Sequence, residues 1–187
     1  MRFHNNKKGM RILGIAESFQ KQDRNSILAG IIMRRDLVVD GIIYSDTTVG
    51  GNDGTKKIIS MIESLGRTDI NCVLLGGLII SLFNIVNGKD INEETKIPVI
   101  AISYRKSAGI KGSIYGEDEK EKMSNYRKLQ ERKSLTLWTG KTIYVRQWGL
   151  EFSDTSNLLN SLVTQGAKPE PLRLAALAAR ACRNYVH

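Results

Sequence analysis

The side chains best placed to do chemistry in this sequence are cations and carboxylates, because nothing else clusters. Its two cysteines and two histidines have no metal-ligand spacing. Cys72 opens an apolar run and Cys182 lies in an Ala-rich helical stretch, so both read as small buried hydrophobes. His4 and His187 fall near the chain ends. Two basic features stand out instead. In GIKGSIYG, residues 109–116, Lys111 lies between glycines with Tyr115 nearby. A glycine-rich basic loop carrying an aromatic ring can follow a phosphate backbone and stack a base. Further on, Arg173, Arg180 and Arg183 share one side of a helix otherwise built of Leu, Ala and Cys. A guanidinium there expects a carboxylate or a phosphate. Glu170 or Glu151 is a candidate internal partner for Arg173, which leaves Arg180 open to a ligand.

Lys and Arg number 28 against 19 Asp and Glu, a formal net charge of +9, and the isoelectric point is about 9.6. That excess makes a polyanion, nucleic acid (DNA or RNA) above all, the first partner to consider. The alternating charges of residues 120–133 fit a solvated helix face. With 187 residues, 41% of them hydrophobic, the chain can build one core. We expect a basic lead-in over residues 1–9 and a single domain over residues 10–187. No run approaches the ~20 apolar residues of a membrane span. The opening carries Arg2, Lys7 and Lys8 without an apolar centre, unlike a secretory signal. The expected setting is cytoplasmic.

The elements that must position these groups follow from the hydrophobic pattern. Residues 10–16, 26–33 and 37–44 read as strands, the second and third joined by the short polar turn Arg34-Arg35-Asp36 as an antiparallel hairpin. Asp53 stands at a helix N-cap position, and Ile58, Ile59, Ile62 and Leu65 recur at helical spacing up to Gly66. Residues 71–75 and 98–103 read as strands, with the apolar residues 78–86 between them as helix or loop. Residues 118–131 read as a charged helix. A late hairpin, residues 135–138 and 142–148, carries Trp138 and Trp148 in core or cross-strand packing. Two helices, 153–163 and 170–185, complete an α/β fold with a mixed sheet and helices on both faces.

That is the element order of the ribonuclease-H-like fold, and several segments resemble one branch of it. RILGIAESF (residues 11–19), VVDGIIYSDTTVGGNDGT (38–55), LLGGLIISLFNI (74–85), IPVIAISYR (97–105) and TQGAKPEPLRLAALAAR (164–180) resemble a largely archaeal family of endonuclease-V-related proteins, domain-of-unknown-function family ninety-nine. The TQG-x-x-PEP-x-R pattern is its most specific mark. The resemblance implies a nuclease that hydrolyses a phosphodiester near a deaminated base with Mg²⁺ held by acidic residues. Such chemistry needs carboxylates converging from adjacent strand ends, because two hard cations must activate water and stabilise the leaving oxygen.

On the positions the resemblance implies, this sequence departs. Ala16 stands where the first acid belongs at the end of strand one, with Glu17 one residue later. Asp53 matches the second. Gly76 of the Gly76-Gly77 pair stands in place of the third. Asp46, and less so Asp40 as a turn or edge residue, could contribute from a neighbouring strand. Standing alone, Asp53 reads more often as a helix cap than as a metal ligand. Arg105 and Lys106 follow the strand where endonuclease V has a lysine, in position to meet a phosphate. The leading expectation is nucleic-acid binding with nuclease activity absent or reduced. A Mg²⁺-dependent endonuclease using Glu17, Asp53 and Asp46, acting on deaminated nucleic acid, is the second. A non-catalytic protein-interaction module is the third. Convergence of the Glu17, Asp53 and Asp46 carboxylates discriminates the first two.

Overall fold

The computed structural model describes residues 9–106 and 119–186. The expected lead-in over residues 1–9, apart from Gly9, and the Lys111–Tyr115 loop lie outside the described residues. Strands β1 (Arg11–Ser18), β2 (Asn25–Arg34) and β3 (Val39–Thr48) form an antiparallel meander. Helix α1 (Gly54–Ser64) leads to β4 (Ile70–Leu75), which lies parallel to β1 with Leu13 opposite Val73. A small hairpin, β5 (Ile79–Ile80) and β6 (Asn84–Ile85), precedes α2 (Gly88–Thr95). Strand β7 (Val99–Ser103) then runs parallel to β4. After α3 (Glu119–Arg127) come β8 (Lys133–Thr136), β9 (Thr142–Trp148), α4 (Phe152–Leu162) and α5 (Glu170–Val186). The main sheet has the order β3-β2-β1-β4-β7-β9-β8, a ribonuclease-H-like mixed sheet.

Alternation along β1 sorts the core into two layers. Leu13 and Ile15 face α1 and α2 through Ile58, Ile62 and Ile91. Ile12 faces α4 and α5 through Leu158, Leu162 and Leu172. Helix α5 reaches the backbone of β1 because residue 14 is glycine: a Cβ there would stand 2.6 Å from Pro171. The C-terminal ends of β1, β4 and β7 therefore finish together, between the start of α5 on one face and the β5–β6 hairpin on the other.

Three expectations need correcting. Residues 78–86 are a hairpin, not a helix, and the helix of that region begins at Gly88. Its cap is Asn87, whose side chain accepts from the Lys89 N–H at 3.0 Å. Only Gly88 and Ile91 of that helix are buried, so it leaves almost no apolar periodicity to read. Trp138 lies beyond the end of β8 and is 64% exposed, its indole N–H bonded to the Val163 carbonyl at 3.0 Å. Trp148 does enter the core. The charged helix ends at Arg127, which releases Arg132 from the solvated helix face expected for it.

Candidate functional site

The shared strand ends bring together the two positions at which the sequence lacks an acid. The Gly76 N–H donates to the Ile15 carbonyl at 3.1 Å. A Cβ on Gly76 would lie 3.8 Å from the Ala16 Cβ. The fold thus keeps the juxtaposition, while the side chains offer no carboxylate to it.

The nearby acids are occupied in other ways. Glu17 accepts from the Ser26 hydroxyl at 2.9 Å, from the Ser81 N–H at 3.0 Å and from the Ser81 hydroxyl. Ser81, Leu82 and Phe83 all have left-handed backbones, with φ of 42°, 54° and 69°. Such conformations are costly for non-glycine residues and persist where surrounding contacts hold them. Glu17, together with the Gly50 N–H that bonds the Ser81 carbonyl at 2.6 Å, supplies those contacts.

Asp53 occupies the N-cap position of α1, but its carboxylate makes no cap hydrogen bond. It turns back to accept from the Thr47 hydroxyl at 2.7 Å, the Asn84 amide at 2.7 Å and the Thr48 hydroxyl at 3.0 Å. Asn84 caps the helix in its place, accepting from the Gly54 N–H at 2.9 Å. Burial opposes ionisation of Asp53. The bonds from Thr47, Asn84 and Thr48 outweigh it and hold the carboxyl below the usual range. Asp46 accepts from the Asn25 amide at 2.6 Å and pairs with Lys57 at 2.9 Å. It follows the pleat away from Thr47, which is fully buried. Asp40 joins Arg11 and Arg67 at the opposite end of the sheet.

Among the described residues, no three of His, Cys, Asp and Glu gather into a group able to hold a metal ion. The convergence of Glu17, Asp53 and Asp46 that the endonuclease alternative requires is therefore not found among the described residues. One carboxylate, Glu17, lines the space above Ala16 and Gly76. That donor set does not fit a two-metal centre, which needs several carboxylates around shared cations.

Two adjoining cavities open at this edge. One, of about 200 Å³, is bounded by Ala16, Glu17, Gly76, Tyr104, Lys168 and Leu172. The other, of about 360 Å³, shares Gly76, Gly77 and Tyr104 and is walled by Tyr126, Arg105, Arg132 and Arg146. Among the described residues none of these three arginines forms an ion pair with a carboxylate. Burial, then the neighbouring Arg132 charge, pulls the Arg146 pKa below the usual arginine value. Its guanidinium is bonded to the Gln130 carbonyl. Among the described residues the buried Tyr104 hydroxyl has no hydrogen-bond partner, and burial pushes its pKa up.

Of the expected basic residues, Arg105 lines the larger cavity, whereas Lys106 is exposed beside it and lines neither. Arg180 is exposed on α5, away from both. The arginine stripe resolves into a structural pair, Arg173 with Glu170 at 2.7 Å, and a bond from Arg183 to the Phe19 carbonyl at 3.2 Å. Lys111 and Tyr115 lie outside the described residues. The residues that sequence reasoning missed are Arg132, Arg146 and Lys168. Arg146 sits between Val145 and Gln147 on β9, where the local pattern gives no signal for it. Lys168 stands inside the TQGAKPEP motif.

Comparison with known proteins places the architecture. The UPF0215 protein of Pyrobaculum aerophilum is 32% identical over 177 residues, spanning 93% of this chain and 95% of that one. A solved structure of a protein of unknown function from Archaeoglobus fulgidus superposes with a TM-score of 0.79 at 30% identity, covering 92% of this chain and 98% of the other. Endonuclease V of Ciona intestinalis, solved with an inosine-containing DNA, has the same fold with a TM-score of 0.65 at 10% identity, covering 95% and 87%. No helix among the described residues is long and apolar enough to cross a membrane. Over residues 8–183 the chain matches the family model described as Endonuclease dU, and it belongs to that family.

Proposed function

We propose that the cleft at the ends of β1, β4 and β7 binds a nucleic-acid strand, with phosphodiester hydrolysis absent or much reduced. The observation that carries this reading is the cavity walled by Arg105, Arg132 and Arg146, none paired with a carboxylate among the described residues. Guanidinium groups left without internal anions are suited to phosphate, which they meet in bidentate fashion. Tyr126, in the same wall, offers a ring against which a base can stack. Ligands at the carboxyl ends of parallel strands are the rule in open α/β sheets. The family's description, and the inosine-containing DNA on the Ciona endonuclease V, support a strand carrying a deaminated base as the ligand.

The test is binding of labelled single-stranded DNA and RNA, with and without uracil or hypoxanthine, across a salt series. Log affinity should fall linearly with log salt, by about 0.7 per phosphate neutralised. No binding at low salt would sink the reading and leave a protein-interaction module. The family's description also favours a second reading, Mg²⁺-dependent cleavage of deaminated strands. Incubating uracil- and inosine-containing strands with Mg²⁺ or Mn²⁺ decides between them: cleavage that disappears in Glu17→Gln would establish the second.

A further inference from the structure

We infer that Lys168 forms a phosphate subsite at the opening left by Ala16 and Gly76, so that strand binding there needs no divalent metal. The inference rests on the nucleic-acid reading above and deepens it. The resemblance to endonuclease V implies carboxylates at this point, where they would hold cations against a phosphate. Here Ala16 and Gly76 stand at those positions, and a lysine lines the same cavity.

The position of Lys168 is defined. Its ammonium lies 5.6 Å from the centroid of the Tyr104 ring. A cation over an aromatic face is attracted by the ring's quadrupole, and this contact consumes none of the ammonium's three donors. Among the described residues Lys168 has no carboxylate partner. Glu17, the acid in the same wall, has its oxygens engaged by Ser26 and Ser81. The charge of Lys168 is thus oriented and available.

The opening is not a by-product of packing. A Cβ on Gly76 would meet only ordinary contacts, 3.5 Å to the Ile15 carbonyl and 3.8 Å to Ala16. A side chain would fit, so the glycine leaves space that the protein does not need. Gly77 beside it does require glycine's freedom, with φ at 132°, and a Cβ there would touch nothing within 4 Å. The consequence is a stretch of bare backbone, Gly76 and Gly77, lining the same cavity of about 200 Å³ as Lys168.

The experiment measures fluorescence anisotropy of a labelled single-stranded oligonucleotide in EDTA and in Mg²⁺. Wild-type affinity should be the same in both. Lys168→Gln should weaken binding about tenfold and lower the salt slope by about 0.7, while Lys168→Arg should retain most of it. Gly76→Asp, which sets a carboxylate beside the ammonium, should weaken binding at least as much in EDTA. Thermal unfolding of each variant confirms that it is folded, as exposure of Lys168 and the room at Gly76 lead one to expect. Loss of wild-type binding on chelation overturns the inference. So does a Lys168→Gln variant that binds normally while Arg132→Gln binds weakly, an outcome that leaves the nucleic-acid reading standing. Wild type failing to bind at low salt overturns both.

Discussion

The two ends of strand β1 treat positive charge in opposite ways. At its start, Arg11 and Arg67 share Asp40, Arg67 also holds Asp69 at 2.8 Å, and Arg11 stands 3.2 Å from Asp69. At its finish, Arg105, Arg132, Arg146 and Lys168 line two adjoining cavities in whose walls Glu17 is the one carboxylate among the described residues. Both ends are partly open to water, so solvent exposure does not separate them. What separates them is whether acids accompany the cations. Among the described residues the cations that line these cavities have no carboxylate partner, whereas those at the start of β1 are paired. The acids near the cleft are engaged within the protein. Glu17 and Asp53 spend their oxygens on the Ser81 turn and on Thr47, Thr48 and Asn84, so they hold the rim of the cleft in shape.

The largest effect should come from the cleft end. Replacing Arg105, Arg132 and Arg146 together by Gln should reduce single-strand affinity by a hundredfold or more at low salt, since each cation releases counterions on binding. Thermal stability should fall only modestly: no ion pair is lost among the described residues, though the bond from Arg146 to the Gln130 carbonyl is. A variant that binds normally would erase the distinction between the two ends. The next effect concerns Asp53. Asp53→Ala removes the acceptor for Thr47, Thr48 and Asn84, and should cost about 2 kcal/mol of stability in denaturant unfolding. It should leave strand affinity of the folded protein within about twofold. A large loss of binding at full stability would return Asp53 to the ligand set.

The fold was legible because burial is written in periodicity. Strands β1 to β4, β7 and β9, and the helices after Asp53 and Glu170, follow alternation or helical spacing within a few residues of their ends. The region between Gly77 and Pro98 was not. Its hairpin runs are two residues each, too short for any period, and three left-handed residues at its turn carry no glycine signal. The cleft was half legible. The motif positions Ala16 and Gly76 named the vacancy, and Arg105 followed from the strand before it. Arg132 looked like one more charge in a solvated run, and Arg146 drew no notice on its strand. Their approach to Tyr126 depends on β9 pairing antiparallel to β7, with Arg146 opposite Ala101, a long-range pairing that local sequence does not specify. Asp53 shows the reverse limit. Its position as an N-cap was readable, yet Asn84, thirty-one residues away in the hairpin, takes the capping bond.

The smallest effect belongs to the paired end and has a defined sign. The hydrogen bond from Arg11, then that from Arg67, holds Asp40 below the usual carboxylate range, and Arg67 does the same for Asp69. A carboxyl depressed in the folded state binds its proton more readily when unfolded. It therefore contributes stability above the unfolded value of about 3.9 and loses it as pH falls through that value toward the folded one. Thermal unfolding by circular dichroism should show a midpoint that drops as pH is lowered from about 5 to below 4. In Asp40→Asn the midpoint should be slightly lower at neutral pH and the acid drop shallower, modest in both respects because the pairs are solvent-screened. Strand binding at neutral pH should be unchanged in this variant. An unaltered acid profile would show that these pairs contribute nothing measurable. Weakened strand binding would show that the two ends of β1 are coupled through the sheet rather than independent.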